Sequence, residues 1–158
     1  MGKEIERKFR VKDDSYKELA YAVRRIKQGY LNSDPERTVR VRADGEKGYL
    51  TVKGCSDKAG ISRFEWEREI SLNEAEDLFR LCEPGMIDKA RYLIKAGKHT
   101  VEVDEFFGEN EGLVLAEIEL HDVKEAYDAP AFLGEEVTGQ EMFYNAFLAK
   151  HPYSSWKK

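Results

Sequence analysis

Charged and apolar residues alternate with a period of two along the N-terminal stretch of the chain. The two parities carry different residues: Glu4, Glu6 and Lys8 on one, and Ile5, Arg7, Phe9 and Val11 on the other. Successive side chains of a β-strand point to opposite faces of the sheet, so this pattern predicts a strand over Glu4–Phe9. One face of that strand would bring two carboxylates and an ammonium group together.

The same alternation returns in seven later stretches. They are Arg25–Asn32, Thr38–Arg42, Tyr49–Lys53, Arg63–Ile70, Ile87–Ala96, Thr100–Phe106 and Leu113–Leu120. About eight short strands with few helices are typical of an antiparallel barrel or sandwich. We therefore predict a mainly β, α+β fold, an eight-stranded antiparallel β-barrel with flanking helices, as a single domain over residues 1–158.

Helices are predicted in three places. Tyr16, Leu19, Ala20 and Val23 follow the i, i+3, i+4, i+7 pattern of a short amphipathic helix. Asn73 and Glu76 resemble a capping box that opens a second helix, which should end at Pro84-Gly85. Thr138 and Glu141 predict the start of a last helix that runs to about Lys150. The polar loop 56–60 is a candidate mobile lid.

Like charges recur in pairs on the polar faces of five predicted strands. The pairs are Glu4/Glu6, Glu65/Glu67, Glu117/Glu119, Arg40/Arg42 and Lys89/Arg91, and Lys8, Lys53 and Asp104 fall on matching parities. Each pair taken alone fits a solvated outer face, where ion pairs contribute little. Five pairs on five strands, most of them backed by an apolar face, favour a different arrangement. In it the charged faces line a hydrated tunnel, and the apolar faces pack outward.

Such a lining suits a particular kind of ligand. Hard divalent cations such as Mg²⁺ bind carboxylate oxygens and keep waters and phosphates as further ligands. Arg and Lys donate hydrogen bonds to phosphate oxygens. A chain of phosphates that carries metal ions would match both halves of the lining. The residues leave two functions open: an enzyme that hydrolyses a triphosphate, and a module that only binds polyphosphate or a nucleotide.

Composition and the remaining residues give expectations about partners, location and packing. The net charge is −5, which does not suggest bulk attraction to nucleic acid. No apolar run approaches a membrane span and no signal-peptide core is present, so we expect a cytoplasmic protein with Cys55 and Cys82 as ordinary thiols. Other residues are expected in structural places: His99, His121 and His151 at strand ends or on the surface, Phe64 and Trp66 in the core, and Trp156 at a packing or interface position.

The charged series resembles the CYTH superfamily, also called triphosphate tunnel metalloenzymes. The stretch Glu-Ile-Glu-Arg-Lys at residues 4–8 is similar to the N-terminal Glu-x-Glu-x-Lys signature of that family. The resemblance continues, in order, through Arg40/Arg42, Lys53, Glu65/Glu67, Lys89/Arg91, Asp104 and Glu117/Glu119. Segments 28–31 and 134–138 also resemble the family, so the similarity covers nearly the whole chain.

The resemblance implies an eight-stranded tunnel and a triphosphatase or cyclase that needs Mg²⁺ or Mn²⁺. By this analogy the phosphate-binding residues are Lys8, Arg40, Arg42, Lys89 and Arg91. The implied metal ligands are Glu4, Glu6, Asp104, Glu117 and Glu119. Lys53, Glu65 and Glu67 are implied in catalysis, with Glu65 and Glu67 in the metal- or water-positioning group. Lys53, which we expect to lie among cations, is implied as general base or as a further phosphate ligand. Inorganic tripolyphosphate is the expected substrate, and a nucleoside triphosphate or adenylate cyclase chemistry is the alternative.

One departure from the family pattern concerns the last predicted helix. Similar compact members usually carry Arg-Tyr there, and this chain has Met142-Phe143. Either the helix simply packs in the core at this point, or the loss of a cation and a phenol changes the tunnel mouth or a subunit contact. The resemblance also suggests a homodimer, since compact members often pair.

Overall fold

A computed structural model of the chain describes residues 2–156. Its strands are β1 Gly2–Val11, β2 Ala22–Asn32, β3 Arg37–Asp44, β4 Lys47–Ser56, β5 Ser62–Ser71, β6 Ile87–Ala96, β7 His99–Phe106, β8 Val114–Glu119 and β9 Leu133–Glu136. The helices are α1 Tyr16–Leu19, α2 Leu72–Phe79 and α3 Asn145–Lys150, with 3₁₀ turns at Gly108–Asn110, Glu141–Phe143 and Tyr153–Ser155. Within residues 2–156, no helix has the length and apolar character that crossing a membrane requires.

Eight of the strands close into an antiparallel barrel in the order β5-β4-β3-β2-β6-β7-β8-β1. The barrel closes where the start of β1 pairs with β5, with Gly2 opposite Glu65 and Ile5 opposite Ser62. The short β9 then pairs with the end of β1. The predicted eight-stranded barrel is confirmed, and β9 is an addition that the sequence pattern did not predict.

Two apolar clusters stabilise the barrel from different sides. The first packs outward-facing residues of β1 and β6–β8 against α1 and the segment around Phe132, as the sequence pattern predicts. The second combines Ile87, Phe106 and Leu115 with Phe143 and Leu148 of the C-terminal segment. The three strand residues share the parity of the charged lining, so this cluster fills the interior of the barrel at one end. The cavity is therefore a cup rather than a uniformly charged tunnel.

The second helix begins earlier than the sequence suggests. Its N-cap is Ser71, whose side chain accepts a hydrogen bond from Glu74 N while the Glu74 side chain accepts one from Ser71 N. Asn73 therefore lies inside the helix, and the predicted Asn73/Glu76 box is wrong. Ser71 is the last residue of β5 and already has the extended backbone of an N-cap, with ψ 157°. The helix ends at Phe79 in a tight turn, before Pro84.

The last predicted helix is also wrong in its extent. Thr138 does not cap a helix, because its hydroxyl accepts a hydrogen bond from Lys8 N and donates one to Glu136. A 3₁₀ turn follows, and Tyr144 is extended with ψ 141°, which separates that turn from α3. Similarly, α1 ends at Leu19, and Val23 lies in β2, where it pairs with Tyr92 of β6.

Several single residues differ from their expected surroundings. Phe64 is 42% exposed on the outer face of β5, so its predicted place in the core is wrong, and Trp66 is half-buried with Arg68 over its ring. His99 begins β7 as expected of a strand-end residue, but it is buried and bonded to Glu125 at 2.6 Å. Cys55 and Cys82 are free thiols.

The departure at Met142-Phe143 has a structural explanation. Phe143 is buried in the second apolar cluster, and its ring packs against that of Trp156 with 5.5 Å between centroids. Met142 is largely exposed. The contact also accounts for Trp156 as a packing residue, so core packing explains the aromatic half of the departure.

Candidate functional site

The inward faces of the strands enclose a cavity of about 680 Å³. All the predicted site residues except Asp104 line it: Glu4, Glu6, Lys8, Arg40, Arg42, Lys53, Glu65, Glu67, Lys89, Arg91, Glu117 and Glu119. They come from six strands, and strand alternation alone turns each one inward. The closed barrel therefore brings together groups that are up to 115 residues apart in the chain.

Carboxylates from β1 and β8 form one wall of the cavity. Glu6 lies opposite Glu119 in the β1–β8 ladder, and Lys8 lies opposite Glu117. Burial raises the pKa of Glu6 well above its usual value, and the neighbouring Glu117 and Glu4 carboxylates raise it further. Burial, together with nearby carboxylates, also raises the pKa of Glu119. Four carboxylates share this wall with two ammonium groups, so negative charge is in excess.

The carboxylates that the structure describes on this wall are not grouped as the ligands of one metal ion. Across residues 2–156, no three Asp, Glu, His or Cys side chains lie near enough to one another to hold a metal ion as they stand. Lys53 Nζ lies 3.0 and 3.1 Å from the two Glu4 oxygens, and Lys8 Nζ lies 3.3 Å from Glu117. Glu4 and Glu117 are therefore paired with lysine ammonium groups.

Cations from β3 and β6 form the opposite wall. Burial, with Arg40 and Arg91 nearby, lowers the pKa of Arg42 to about 9. Burial is also the largest reason that the pKa of Lys89 falls to about 7, and Arg91 and Arg42 lower it further against the attraction of Asp104. Arg40 Nε is a buried donor without a hydrogen-bond partner among the described residues. An anion in the cavity would reduce the repulsion among these cations and could accept a hydrogen bond from Arg40 Nε.

Asp104 lies among the cations of the opposite wall. Its carboxylate accepts hydrogen bonds from Lys89 Nζ at 2.8 Å and from Arg91 Nε and Nη2 at 2.8 and 2.9 Å. Burial would raise the pKa of Asp104, but Arg91 and Lys89 outweigh it and hold the pKa well below the usual range. Asp104 therefore has the surroundings of a counter-ion for two buried cations.

Lys53 does not lie among cations, contrary to our expectation from the sequence. Besides Glu4, it contacts Glu65 at 3.6 Å, so it lies among carboxylates rather than cations. Glu67 is turned toward the other wall, 3.6 Å from Arg40 Nη2, and it accepts a 2.7 Å hydrogen bond from Thr51. The lysine that does lie among cations is Lys89.

Some residues of the site had no place in the charged pattern. Gln28 and Thr51 are uncharged, and Asn145 and Tyr144 belong to the segment that was predicted as one continuous helix. The strand parity of Gln28, shared with Tyr30, was a signal that could have indicated an inward side chain. Asn145 offered no such signal, because the break at Tyr144 depends on contacts with the barrel.

The C-terminal segment also contacts the predicted mobile loop at the cavity mouth. Gly60 has φ +71° and passes so close to Gly139 that a Cβ at residue 60 would lie 2.2 Å from Gly139 Cα. The ring of Tyr144 lies between two cations, 5.3 Å from Lys8 Nζ and 5.9 Å from Arg63 Cζ. Only glycines permit this approach of loop 57–60 to the C-terminal segment.

The structure defines the class of protein: a closed antiparallel β-barrel whose interior carries a carboxylate wall facing a cation wall. The family comparison agrees, since the model of the CYTH domain matches residues 2–146. The chain belongs to the CYTH domain family.

Two curated relatives and one solved structure are similar over nearly their full lengths. The chain is 50% identical over 159 residues to an inorganic triphosphatase of Acetivibrio thermocellus, covering 100% of both chains. It is 35% identical over 150 residues to an inorganic triphosphatase of Nitrosomonas europaea, covering 92% of this chain and 96% of the relative. The crystal structure of the inorganic triphosphatase NE1496 superposes with a TM-score of 0.65 at 32% identity, covering 92% of this chain and 97% of that one.

Proposed function

We propose that this protein hydrolyses inorganic tripolyphosphate to pyrophosphate and orthophosphate with the help of a divalent cation. The observation that carries the proposal is the pair of opposed walls inside one cavity, each with an excess of like charge. A phosphate chain satisfies the cation wall, and a divalent cation satisfies the carboxylate wall. The names of the two curated relatives support this choice of substrate.

The donor set of the carboxylate wall suits Mg²⁺ or Mn²⁺. Glu4, Glu6, Glu117 and Glu119 offer only carboxylate oxygens, which hard divalent cations prefer. Four carboxylates against two ammonium groups leave this wall with an excess of negative charge, which the cation would neutralise. When bound, the metal would neutralise phosphate charge and orient the attacking water.

The cation wall would hold the substrate. Arg40, Arg42, Lys89 and Arg91 would donate hydrogen bonds to phosphate oxygens, with Lys8 at the junction of the two walls. Asp104 would keep Lys89 and Arg91 in place rather than bind metal, because these two buried cations hold it through three hydrogen bonds. Lys53 and Glu65 would orient the water, since they lie beside Glu4 at the edge of the carboxylate wall.

We expect phosphate release from tripolyphosphate to require Mg²⁺ or Mn²⁺ and to stop when EDTA is added. We also expect kcat/KM for tripolyphosphate to exceed that for ATP, because the charged lining accounts for three phosphates. The measurement is phosphate release from both substrates in each metal, with chromatography for cyclic AMP. An ATP preference of about tenfold, or dominant formation of cyclic AMP, would contradict the substrate choice. Tight binding of tripolyphosphate without any turnover would instead identify a binding module.

Ligand binding should also stabilise the fold. Adding Mg²⁺ and tripolyphosphate together should raise the melting temperature more than either alone, because each relieves the repulsion of one wall and binds only the folded state. The measurement is a thermal scan under four conditions: no addition, metal, tripolyphosphate and both. NaCl at matched ionic strength is the control, since an equal rise with NaCl would indicate general screening and no specific site.

A further inference from the structure

Two residues of the cation wall are joined by a chain of two side-chain amides. Arg42 Nε donates to Gln28 Oε1 at 2.9 Å, and Gln28 Nε2 donates to Asn145 Oδ1 at 3.2 Å. Lys89 Nζ donates to the same Asn145 oxygen at 3.1 Å. The chain therefore runs from Arg42 through Gln28 and Asn145 to Lys89, and from there to Asp104.

Gln28 is held in one orientation by these contacts. Its side chain is fully buried, with 0% exposure, and its Nε2 also donates to the hydroxyl of Tyr30 at 3.2 Å. A buried amide that lost a partner would carry the full desolvation cost of that group. Gln28 therefore keeps its oxygen toward Arg42 and its nitrogen toward Asn145.

Asn145 supplies the acceptor that the chain needs. One oxygen serves two donors, and one of them is a buried ammonium group whose other hydrogen-bonding partner is Asp104. Asn145 is the first residue of α3, directly after the extended Tyr144 that interrupts the C-terminal segment. The interruption turns Asn145 toward the cavity, and Asn145 is one of the residues that line it.

We propose that Asn145 is a positioning residue, which fixes Lys89 directly and Arg42 through Gln28, so that both cations meet the phosphates of the substrate in a set geometry. This inference rests on the proposed triphosphatase function. It assigns a role in turnover to α3, whose first residue contacts Lys89 of the cation wall. It also explains why Gln28, an uncharged residue, is buried against Arg42 of the charged lining.

Replacing Asn145 tests the proposal directly. Asn145→Ala should lower kcat/KM for tripolyphosphate by about tenfold to a hundredfold, mostly through kcat, because a small displacement of a group that contacts the reacting substrate has an effect of that order. Asn145→Asp keeps the acceptor oxygen but adds a negative charge. It should recover most of the lost kcat while KM rises, because the new carboxylate repels the substrate. A purely structural role would not separate kcat from KM in this way.

Asn110 provides the matched control. It is also a buried asparagine that fixes the C-terminal segment, because its Oδ1 accepts a 2.8 Å hydrogen bond from Tyr153 N. It does not line the cavity. Asn110→Ala should lower the melting temperature about as much as Asn145→Ala, yet change kcat/KM by less than about threefold.

A double-mutant cycle with Gln28→Ala gives an independent readout. If the two amides act as one chain, Gln28→Ala on top of Asn145→Ala should lower kcat/KM by no more than about threefold further. The effects of Asn145→Ala and Asn110→Ala on kcat/KM should instead multiply, because these two residues do not belong to one chain. Should Asn145→Ala fail to fold, Gln28→Ala is measured alone, because it breaks the same chain at its other amide, and it should lower kcat/KM clearly more than Asn110→Ala does.

Three results would overturn the proposal: kcat/KM of Asn145→Ala within about threefold of wild type, an equal loss in Asn110→Ala, or fully multiplicative effects of the Gln28 and Asn145 substitutions. Failure of the proposed function is seen separately, as absence of turnover by the wild-type protein. In that case the calorimetric Kd for tripolyphosphate carries the same comparison. Asn145→Ala should weaken that binding by about tenfold, and an unchanged Kd would then overturn the inference.

Discussion

Glu6→Gln is expected to remove turnover of tripolyphosphate, by at least about a hundredfold, while the metal-free protein becomes more stable. The loss of turnover follows from the proposed role of Glu6 in the carboxylate wall, where an amide is a much poorer partner for a hard cation. The gain in stability follows from the crowding of Glu6 by Glu4 and Glu117. Function and stability would therefore change in opposite directions at one residue.

The sign of the stability change depends on pH. The pKa of Glu6 is raised in the folded protein above its ordinary value of 4.5, so the ionised carboxylate destabilises the fold at neutral pH. A neutral amide removes that penalty and can still donate to Glu117, as the protonated acid does. The difference in melting temperature should be present at pH 7 and should disappear below about pH 4.5, where Glu6 is protonated even in the unfolded chain.

The experiment combines phosphate release at saturating Mg²⁺ with thermal unfolding in EDTA at several pH values. Glu105→Gln is the control, because Glu105 lies on the outer face of β7 and pairs with Tyr16 and Lys17. It should leave turnover unchanged and lower the melting temperature slightly. Full activity of Glu6→Gln at saturating Mg²⁺ would show that Glu6 is not part of the metal site.

Asp104→Asn is expected to have the largest effect on stability. Asp104 is 3% exposed, Lys89 1% and Arg91 6%, so the substitution leaves two buried cations without their main counter-ion. Removing one partner of a buried ion pair typically costs about 3–5 kcal/mol, because the remaining charge is buried without compensation. For a domain of this size that corresponds to a fall in melting temperature of roughly 6–20 °C.

The same substitution should increase the stabilising effect of the substrate. Without Asp104, the phosphates become the main anionic partner of Lys89 and Arg91. Tripolyphosphate should therefore raise the melting temperature of Asp104→Asn by more than it raises that of the wild type. If Asp104 instead holds metal, the variant would lose the metal-dependent part of the stabilisation and would gain nothing from tripolyphosphate.

Asp88→Asn is the matched control for Asp104→Asn. Asp88 forms the same two-bond contact with an arginine, at 2.8 and 2.9 Å from Arg25, but on the exposed outer face of β6. The side chains of Arg25 and Asp88 are 64% and 48% exposed, so water compensates for the lost partner. A large loss of stability in Asp88→Asn, equal to that of Asp104→Asn, would contradict the argument from burial.

Strand parity made much of this site predictable. The side chains of Glu4, Arg40 and Glu117 are inward because residues two apart in a strand share a face, and that rule depends on local backbone geometry alone. Closure of the barrel required only enough strands of matching pattern. The same rule did not distinguish inward charge from inward apolar residues, so Ile87, Phe106 and Leu115 were not expected to fill one end of the barrel.

Which charges become partners was decided by the tertiary structure. Asp104 shares its parity with the glutamates, yet the β6–β7 register places it opposite Arg91 and makes it a counter-ion. Lys53 was expected among cations and lies beside two carboxylates. Glu65 is its partner in the β4–β5 register, and the closure of β5 onto β1 brings Glu4 to it. Partnerships across a barrel depend on register and closure, which join residues far apart in the chain.

By itself, then, the alternation of residues determined the barrel, its charged interior and the kinds of ligand that such an interior can bind. Those properties depend on which face each side chain occupies, and a strand sets that with every residue. Only the tertiary structure decided where α3 begins in the C-terminal segment, which places Asn145 against Lys89 and Gln28. That choice depends on hydrogen bonds from Lys8 to Thr138 and to the carbonyl of Phe143, contacts that exist only once the barrel has closed.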